Sequence, residues 1–213
     1  MKKTLIASLL GAATLVSGYA QAELSANVGV VSNYLWRGME QTDGGPALQA
    51  GLDYSNESGF YAGTWASNVD DFGVDATLEV DLYGGYAGSA SGWDYDIGYI
   101  LFMYPGTDSD VDFGEIYGSV SKGDLTLGLA VLANANGADF GDSIYASVDY
   151  SLAVIEGFDV GLHLGSYSGD FSSDAMDFGA TIGKDFWSVG VSKMTEGDDD
   201  VKLYASASWS FDL

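Results

Sequence analysis

One histidine, one arginine and a series of alternating carboxylates carry the chemistry this sequence offers. His163 is the sole histidine. If the turn after Leu152 pairs it with Phe158, Ser147 faces His163 and Asp149 lies one diagonal step away. Ser, His and Asp together are the constellation of a hydrolase. A register slip of one or two residues separates them, and no oxyanion donors can be named. The plainer reading is a histidine hydrogen-bonded to an interior neighbour.

Arg37, the only arginine, is followed by Gly38. Such a lone cation either sets ion selectivity at a constriction or holds a loop by bidentate pairing to carboxylates or carbonyls. Glu79, Asp81, Asp94, Asp96, Asp149, Asp159 and Asp177 each stand at alternate positions to apolar residues. A wall of carboxylates concentrates cations and repels anions; the alternative is a hydrated acidic surface without solute preference. "DSDVDFG" at 108–114 and "TEGDDD" at 195–200 offer carboxylate oxygens of the kind that bind divalent cations. The first departs from the EF-hand pattern, with Gly114 at its seventh place and Ser119 at its twelfth. Solvated acidic loops are the competing reading. No cysteine is present and no histidine cluster exists, so no transition-metal site or cofactor is expected.

Strands must position these residues, because the alternation has a period of two and no helical period persists. Twelve segments alternate: 24–37, 47–55, 59–69, 75–87, 93–104, 112–122, 125–134, 143–152, 158–168, 176–183, 186–194 and 201–213. In one, Trp93, Tyr95, Ile97, Tyr99, Leu101 and Met103 oppose Asp94, Asp96 and Gly98. The segments at 59–69 and 112–122 do not reveal their faces. A soluble barrel keeps its large apolar residues inside; here the small and acidic face reads as the interior. Lipid outside resolves that inversion, and in lipid a sheet must close on itself.

Connections sort by length. Those near 38–46, 70–74, 105–111, 135–142, 169–175 and 195–200 are long and acidic; those near 56–58, 88–92, 123–124, 153–157 and 184–185 are short. Even strand number and alternating long loops and short turns are the layout of a transmembrane barrel with both termini on the short-turn side. Tyr54, Tyr86, Trp93, Phe158, Trp187, Trp209 and Phe211 lie near that side, where a belt of amphipathic rings is expected. "DFG" recurs at 71–73, 112–114, 139–141 and 177–179, making Phe72, Phe113, Phe140 and Phe178 candidates for an upper belt. No loop is read as long enough for a plug, which excludes a TonB-type transporter.

The first residues, "MKKTLIASLLGAATLVSGYAQA", have a basic start, a short apolar run and a small-x-small end, so 1–22 is expected to be a signal peptide and 23–213 the barrel. Removing Lys2 and Lys3 leaves Arg37, Lys122, Lys184, Lys193 and Lys202 against 31 acids. That balance argues against nucleic acid as a partner.

"VSNYLWRGMEQTDGGPALQAGLDYSNESGFYAGTWASNVD" at 31–70 resembles a bacterial family assigned as porins, the TorF family. The matching pieces are Tyr34-x-Trp36-Arg37-Gly38, Gln41-Thr42, Pro46, Gln49-x-Gly51-x-Asp53-Tyr54, Glu57-Ser58-Gly59 and Tyr61-Ala62-Gly63-x-Trp65-x-Ser67-Asn68, with "LEVDLYGGY" at 78–86 also similar. The aromatic before the arginine is usually Phe in that family and is Trp36 here. The resemblance implies an outer-membrane barrel and little about substrate. Resemblance to outer-membrane proteins also implies that the final strand is an assembly signal for the barrel-insertion machinery; it ends on Leu213 where Phe is usual.

The expectation is therefore an all-β, twelve-strand transmembrane barrel in the bacterial outer membrane, with periplasmic termini. It would meet lipid and lipopolysaccharide outside and pass small solutes or cations by diffusion. Arg37, Glu79, Asp81, Asp94, Asp96, Asp149 and His163 are the candidate pore-lining residues. The alternatives are a closed structural or surface-interaction barrel, with Tyr83, Phe102, Tyr145, Tyr167 and Tyr204 filling the interior, and a barrel hydrolase at Ser147 and His163.

Overall fold

The computed structural model describes residues 23–70, 75–107, 110–152, 154–169, 174–197 and 199–213. The expected leader, Asp71, Phe72 and Gly73 of the first DFG, Asp108, Asp170 and Asp198 lie outside the described residues.

The strands are β1 (Glu23–Val31), β2 (Leu35–Trp36), β3 (Met39–Glu40), β4 (Ala47–Ser55), β5 (Phe60–Asn68), β6 (Leu78–Ala90) and β7 (Trp93–Met103). They continue with β8 (Phe113–Lys122), β9 (Leu125–Ala135), β10 (Ser143–Leu152), β11 (Asp159–Gly169), β12 (Ala175–Lys184), β13 (Trp187–Met194) and β14 (Lys202–Asp212). β1 and β4 to β14 form a closed antiparallel barrel of twelve strands; β2 and β3 form a separate two-residue hairpin. Its seam joins β1 to β14, from Ser25 opposite Asp212 to Val31 opposite Ser206. No strand edge is left in the wall, so every ladder group can be satisfied without water.

The faces follow the alternation. Leu48, Ile97 and Leu203 point outward at 61%, 58% and 76% exposure, while Glu79, Glu115 and Asp177 point inward at 4% or less. Water would penalise that outer surface heavily; hydrocarbon does not. Wall strands run from 8 residues in β13 to 13 in β6, and tilted strands of about 9–11 residues cross a bilayer core. The turn-end belt is outward: Tyr54, Trp93, Trp187, Trp209 and Phe211 are all exposed. Phe186 stacks on Trp209 at 5.6 Å, and Lys122 lies 5.1 Å over the Trp93 ring.

Three expectations need correction. The short turn expected at 88–92 contracts to Ser91-Gly92, because both residues have positive φ, 56° and 77°, as a two-residue hairpin turn requires. Phe113 does not join an outward belt. It is buried in the interior phase of β8 and stacks on Phe102 at 4.6 Å; Phe140 and Phe178 are exposed. The largest correction concerns the first strand, expected to reach residue 37. Ser32 ends the ladder: its N–H donates to Ala205 O, and its Oγ accepts from Ala205 N–H. The chain from 33 to 46 then leaves the wall and folds into the lumen. Trp36 consequently faces the interior, not lipid, and a loop read as too short for a plug enters the lumen because the end of the first strand goes with it.

Candidate functional site

The inserted segment builds the candidate site. Leu35–Trp36 and Met39–Glu40 pair around Arg37-Gly38, whose positive φ values of 50° and 85° make the tight turn. Gln41 N–H donates to Tyr34 O at 2.7 Å, and Tyr34 N–H to Thr42 Oγ1 at 3.0 Å. The Thr42 hydroxyl donates to Gly45 O at 2.7 Å. The tip rests on β12 and β13: a Cβ on Gly38 would lie 2.6 Å from Met194 Cγ and 2.9 Å from Asp177 Cβ.

Arg37 docks on the far wall. Its Nη1 and Nη2 donate to Glu115 Oε1 and Oε2 at 2.8 and 2.5 Å, and Nη1 donates to Tyr167 Oη at 3.1 Å. Its Cζ lies 4.5 Å from the Trp36 ring centroid and 4.4 Å from that of Tyr145. Glu115 stands five strands from β1 one way round the ring, and Tyr145 five the other way. Burial opposes the charge, but Tyr167 and Glu115 outweigh it and hold the guanidinium above its ordinary pKa. Of its two expected roles, the bidentate carboxylate pairing is present, and it sits across the lumen.

Aromatic packing surrounds the clamp. Trp36 meets Phe102 and Phe113 edge-on at 5.5 and 5.9 Å, with Leu132 buried beside them. Glu40 ties the segment to the seam, accepting from Asn33 Nδ2 at 2.5 Å and pairing with Lys202 Nζ at 3.0 Å.

Toward the turn end the interior is polar. Tyr61 Oη donates to Asp96 Oδ1 at 2.7 Å and meets Tyr117 Oη at 2.6 Å. Tyr83 Oη and Asn27 Nδ2 both donate to Asp53. These phenols lie flat on the wall because glycine faces them: a Cβ on Gly63 would meet the Tyr83 ring at 2.5 Å, and one on Gly85 would meet Tyr61 Oη at 2.4 Å.

His163 sits between two carboxylates, with Nδ1 2.7 Å from Asp149 Oδ1 and Nε2 2.9 Å from both Asp177 Oδ1 and Tyr145 Oη. The register differs from expectation. Leu152 pairs with Val160, so Asp149 faces His163 and Ser147 faces Gly165. The Ser147–His163 pair of the hydrolase reading is not assembled.

The remaining candidates separate by depth. Glu79 and Asp81 are buried beside the inserted segment, where Tyr34 Oη donates to Glu79 Oε1 at 3.4 Å. Burial, then the Glu79 and Asp81 charges, push the Tyr34 phenol well above its ordinary pKa. Asp96 is half-buried, whereas Asp94 is exposed and accepts from Ser89 Oγ. Among the described residues, no three His, Asp or Glu side chains group as a metal site. Asp112 in the first acidic loop accepts from Tyr104 N–H at 2.9 Å, which closes that loop.

Glu115 and Trp36 were not among the expected interior residues, and Tyr167 was expected there only as filling of a closed barrel. In "FGEIYGSVSK" the interior face carries Phe113, Glu115 and Tyr117, and the lipid face Ile116 and Val120. Mixed aromatics and acids on one face blur the hydropathy contrast that separates faces.

Solved structures share the fold. The chain superposes on the KdgM porin with a TM-score of 0.55 at 11% identity, covering 89% of this chain and 99% of that one. An outer membrane channel from Pseudomonas putida F1 gives 0.51 at 8% identity, with 92% and 97% covered. No curated protein sequence matches. The family match carries no TorF name; it is to the bacterial protein of unknown function Gcw_chp, over residues 15–209. The chain belongs to the Gcw_chp family.

Proposed function

We propose that this protein is an outer-membrane channel for small solutes, narrowed by its own inserted segment and leaning toward cations. The observation that carries the reading is a closed barrel, apolar outside, whose interior is a hydrogen-bonded acidic wall crossed by the Arg37–Glu115 clamp. The mechanism is passive: solutes diffuse along hydroxyls and carboxylates and meet the narrowest point beside Arg37. Interior acids outnumber interior cations, and the cations are spent, Arg37 on Glu115 and Lys202 on Glu40. Field lines in such a lumen favour cations.

The KdgM porin is known in complex with disordered oligogalacturonate, a polyanion. The acidic wall here suits small cations and neutral solutes better than such a chain. On the same reading residues 1–22 are a cleaved leader, the termini face the periplasm, and lipopolysaccharide meets the outer leaflet. The final strand is read by the barrel-assembly machinery. The channel reading assigns no catalysis.

Planar-bilayer recording on purified protein tests it. Conductance steps with a cation-selective reversal potential in a KCl gradient are expected. Anion-selective steps would overturn the cation preference alone. A second reading, a closed structural or surface barrel, is favoured by the Trp36, Phe102, Phe113 and Leu132 packing; complete absence of conductance would establish it instead.

A further inference from the structure

Beside the Arg37 clamp lies a second acidic cluster, which makes no ion pair among the described residues. Glu79 and Asp81 share the interior face of β6 at 2% and 6% exposure. Glu79 Oε2 and Asp81 Oδ1 are buried without a hydrogen-bond partner, and so is Nε2 of Gln49. The wall explains why. Gln49, Ser67 and Glu79 form one row across β4, β5 and β6. Ser67 between them turns its hydroxyl to Asn68 O at 2.9 Å. Asp81 is flanked by Trp65 on one strand and Phe102 on the other; Phe102 has no donor, and the Trp65 indole N–H leaves Asp81 Oδ1 unbonded. The inserted segment offers only the long Tyr34–Glu79 contact of 3.4 Å. Arg37 and Lys202 are committed to other carboxylates.

Two buried carboxylates with bare oxygens are costly unless a positive charge joins them. The three unpartnered atoms belong to neighbouring positions of one patch of wall. Their chemistry is hard: carboxylate oxygen, phenol oxygen, and an amide whose oxygen and nitrogen exchange places by a simple flip. We propose that Glu79 and Asp81 bind a divalent alkaline-earth cation, Ca²⁺ above all, with the Gln49 amide and the Tyr34 hydroxyl as further oxygen ligands. Irregular, oxygen-only donor sets with two carboxylates suit Ca²⁺. Tyr34 belongs to the inserted segment, so the bound ion also fastens that segment to β6. The site rests on the buried wall and does not require that the barrel conducts.

The test is calorimetric titration of Ca²⁺ into the chelator-treated, folded barrel in detergent. One site per chain is expected. Its affinity should fall at least tenfold in Glu79→Gln with Asp81→Asn, and stay unchanged in the loop control Asp139→Asn with Asp142→Asn. Heat-modifiability on SDS gels confirms folding of each variant. If the double variant does not fold, the wild-type chain decides: Ca²⁺ should raise the temperature at which the folded band is lost, beyond the effect of K⁺ at equal ionic strength. No titratable site, no Ca²⁺ effect on that temperature, or loss of binding in the loop control would each overturn the proposal. Absence of binding at every pH would identify a proton as the neutralising charge.

Discussion

The two halves of this barrel solve opposite problems with the same wall. In the loop half, residues 33–46 cross the lumen, and Trp36, Phe102, Phe113 and Leu132 pack as a protein core does. In the turn half, Tyr61, Tyr83, Asp53, Asp96 and Asp149 hydrogen-bond along the wall to strands one or two places away. The same residue types behave differently. A tyrosine facing glycine lies flat and leaves room, as Tyr83 does on Gly63. Tyr145 lies over Gly165 in the same way, yet beneath the inserted tip its ring also meets Arg37 at 4.4 Å, as that of Tyr167 does at 5.6 Å. Aromatic content therefore does not decide whether such a lumen is filled; whether the inserted segment reaches the rings does.

Removing the clamp should break the contrast most strongly. Arg37→Ala strands Glu115 in a buried, unpaired state, a loss of about 3–5 kcal/mol for a broken buried ion pair. The folded band on SDS gels should disappear at a lower temperature, and open-state conductance should rise. Arg37→Ala combined with Glu115→Gln should recover much of the stability while keeping the higher conductance.

Gly38→Val attacks the same half through the backbone. A side chain there meets Met194 and Asp177 and must hold a φ of 85°, so roughly 1–3 kcal/mol of strain is expected. Enhanced protease cleavage within 33–46, with the wall intact, would report a displaced tip.

His163→Ala acts at the junction of the halves. It exposes Asp149 and Asp177 to each other without their bridge, and the reversal potential should move further toward cations. The stability loss should be on the order of 1–3 kcal/mol, since buried acceptors lose a donor.

Gly63→Val should have the smallest effect and the opposite sign on conductance. It pushes the Tyr83 ring off the wall into the lumen. A modest fall in conductance with unchanged ion selectivity would sharpen the comparison; no change would show that the turn half is not where flow is limited.

The wall was legible because lipid forces a strict alternation onto it. Leu78, Val80 and Leu82 against Glu79 and Asp81 admit one assignment, and the strand ends follow to within a few residues. The inserted segment was not legible, because "NYLWR" keeps the β-forming composition of the first strand and reads as its continuation until its partners are known. Those partners lie far away in sequence: Arg37 reaches Glu115 across 78 residues and Tyr167 across 130. The histidine site failed for a smaller reason. The turn after Leu152 sets the register to Val160, not Phe158, and a shift of two residues replaced Ser147 with Asp149 as the neighbour of His163. Arg37 was recognisable by its uniqueness, but its carboxylate was not.

The stitching of the inserted segment to the last strand has a temporal consequence. Ser32 bonds Ala205 and Glu40 pairs with Lys202, so these contacts wait until β14 arrives beside β1. Neighbouring wall strands can pair progressively along the chain, whereas loop closure over long separations is slow. Those two ties therefore belong to the closure of the ring, whereas the Arg37 clamp, which bonds β8 and β11, does not depend on β14.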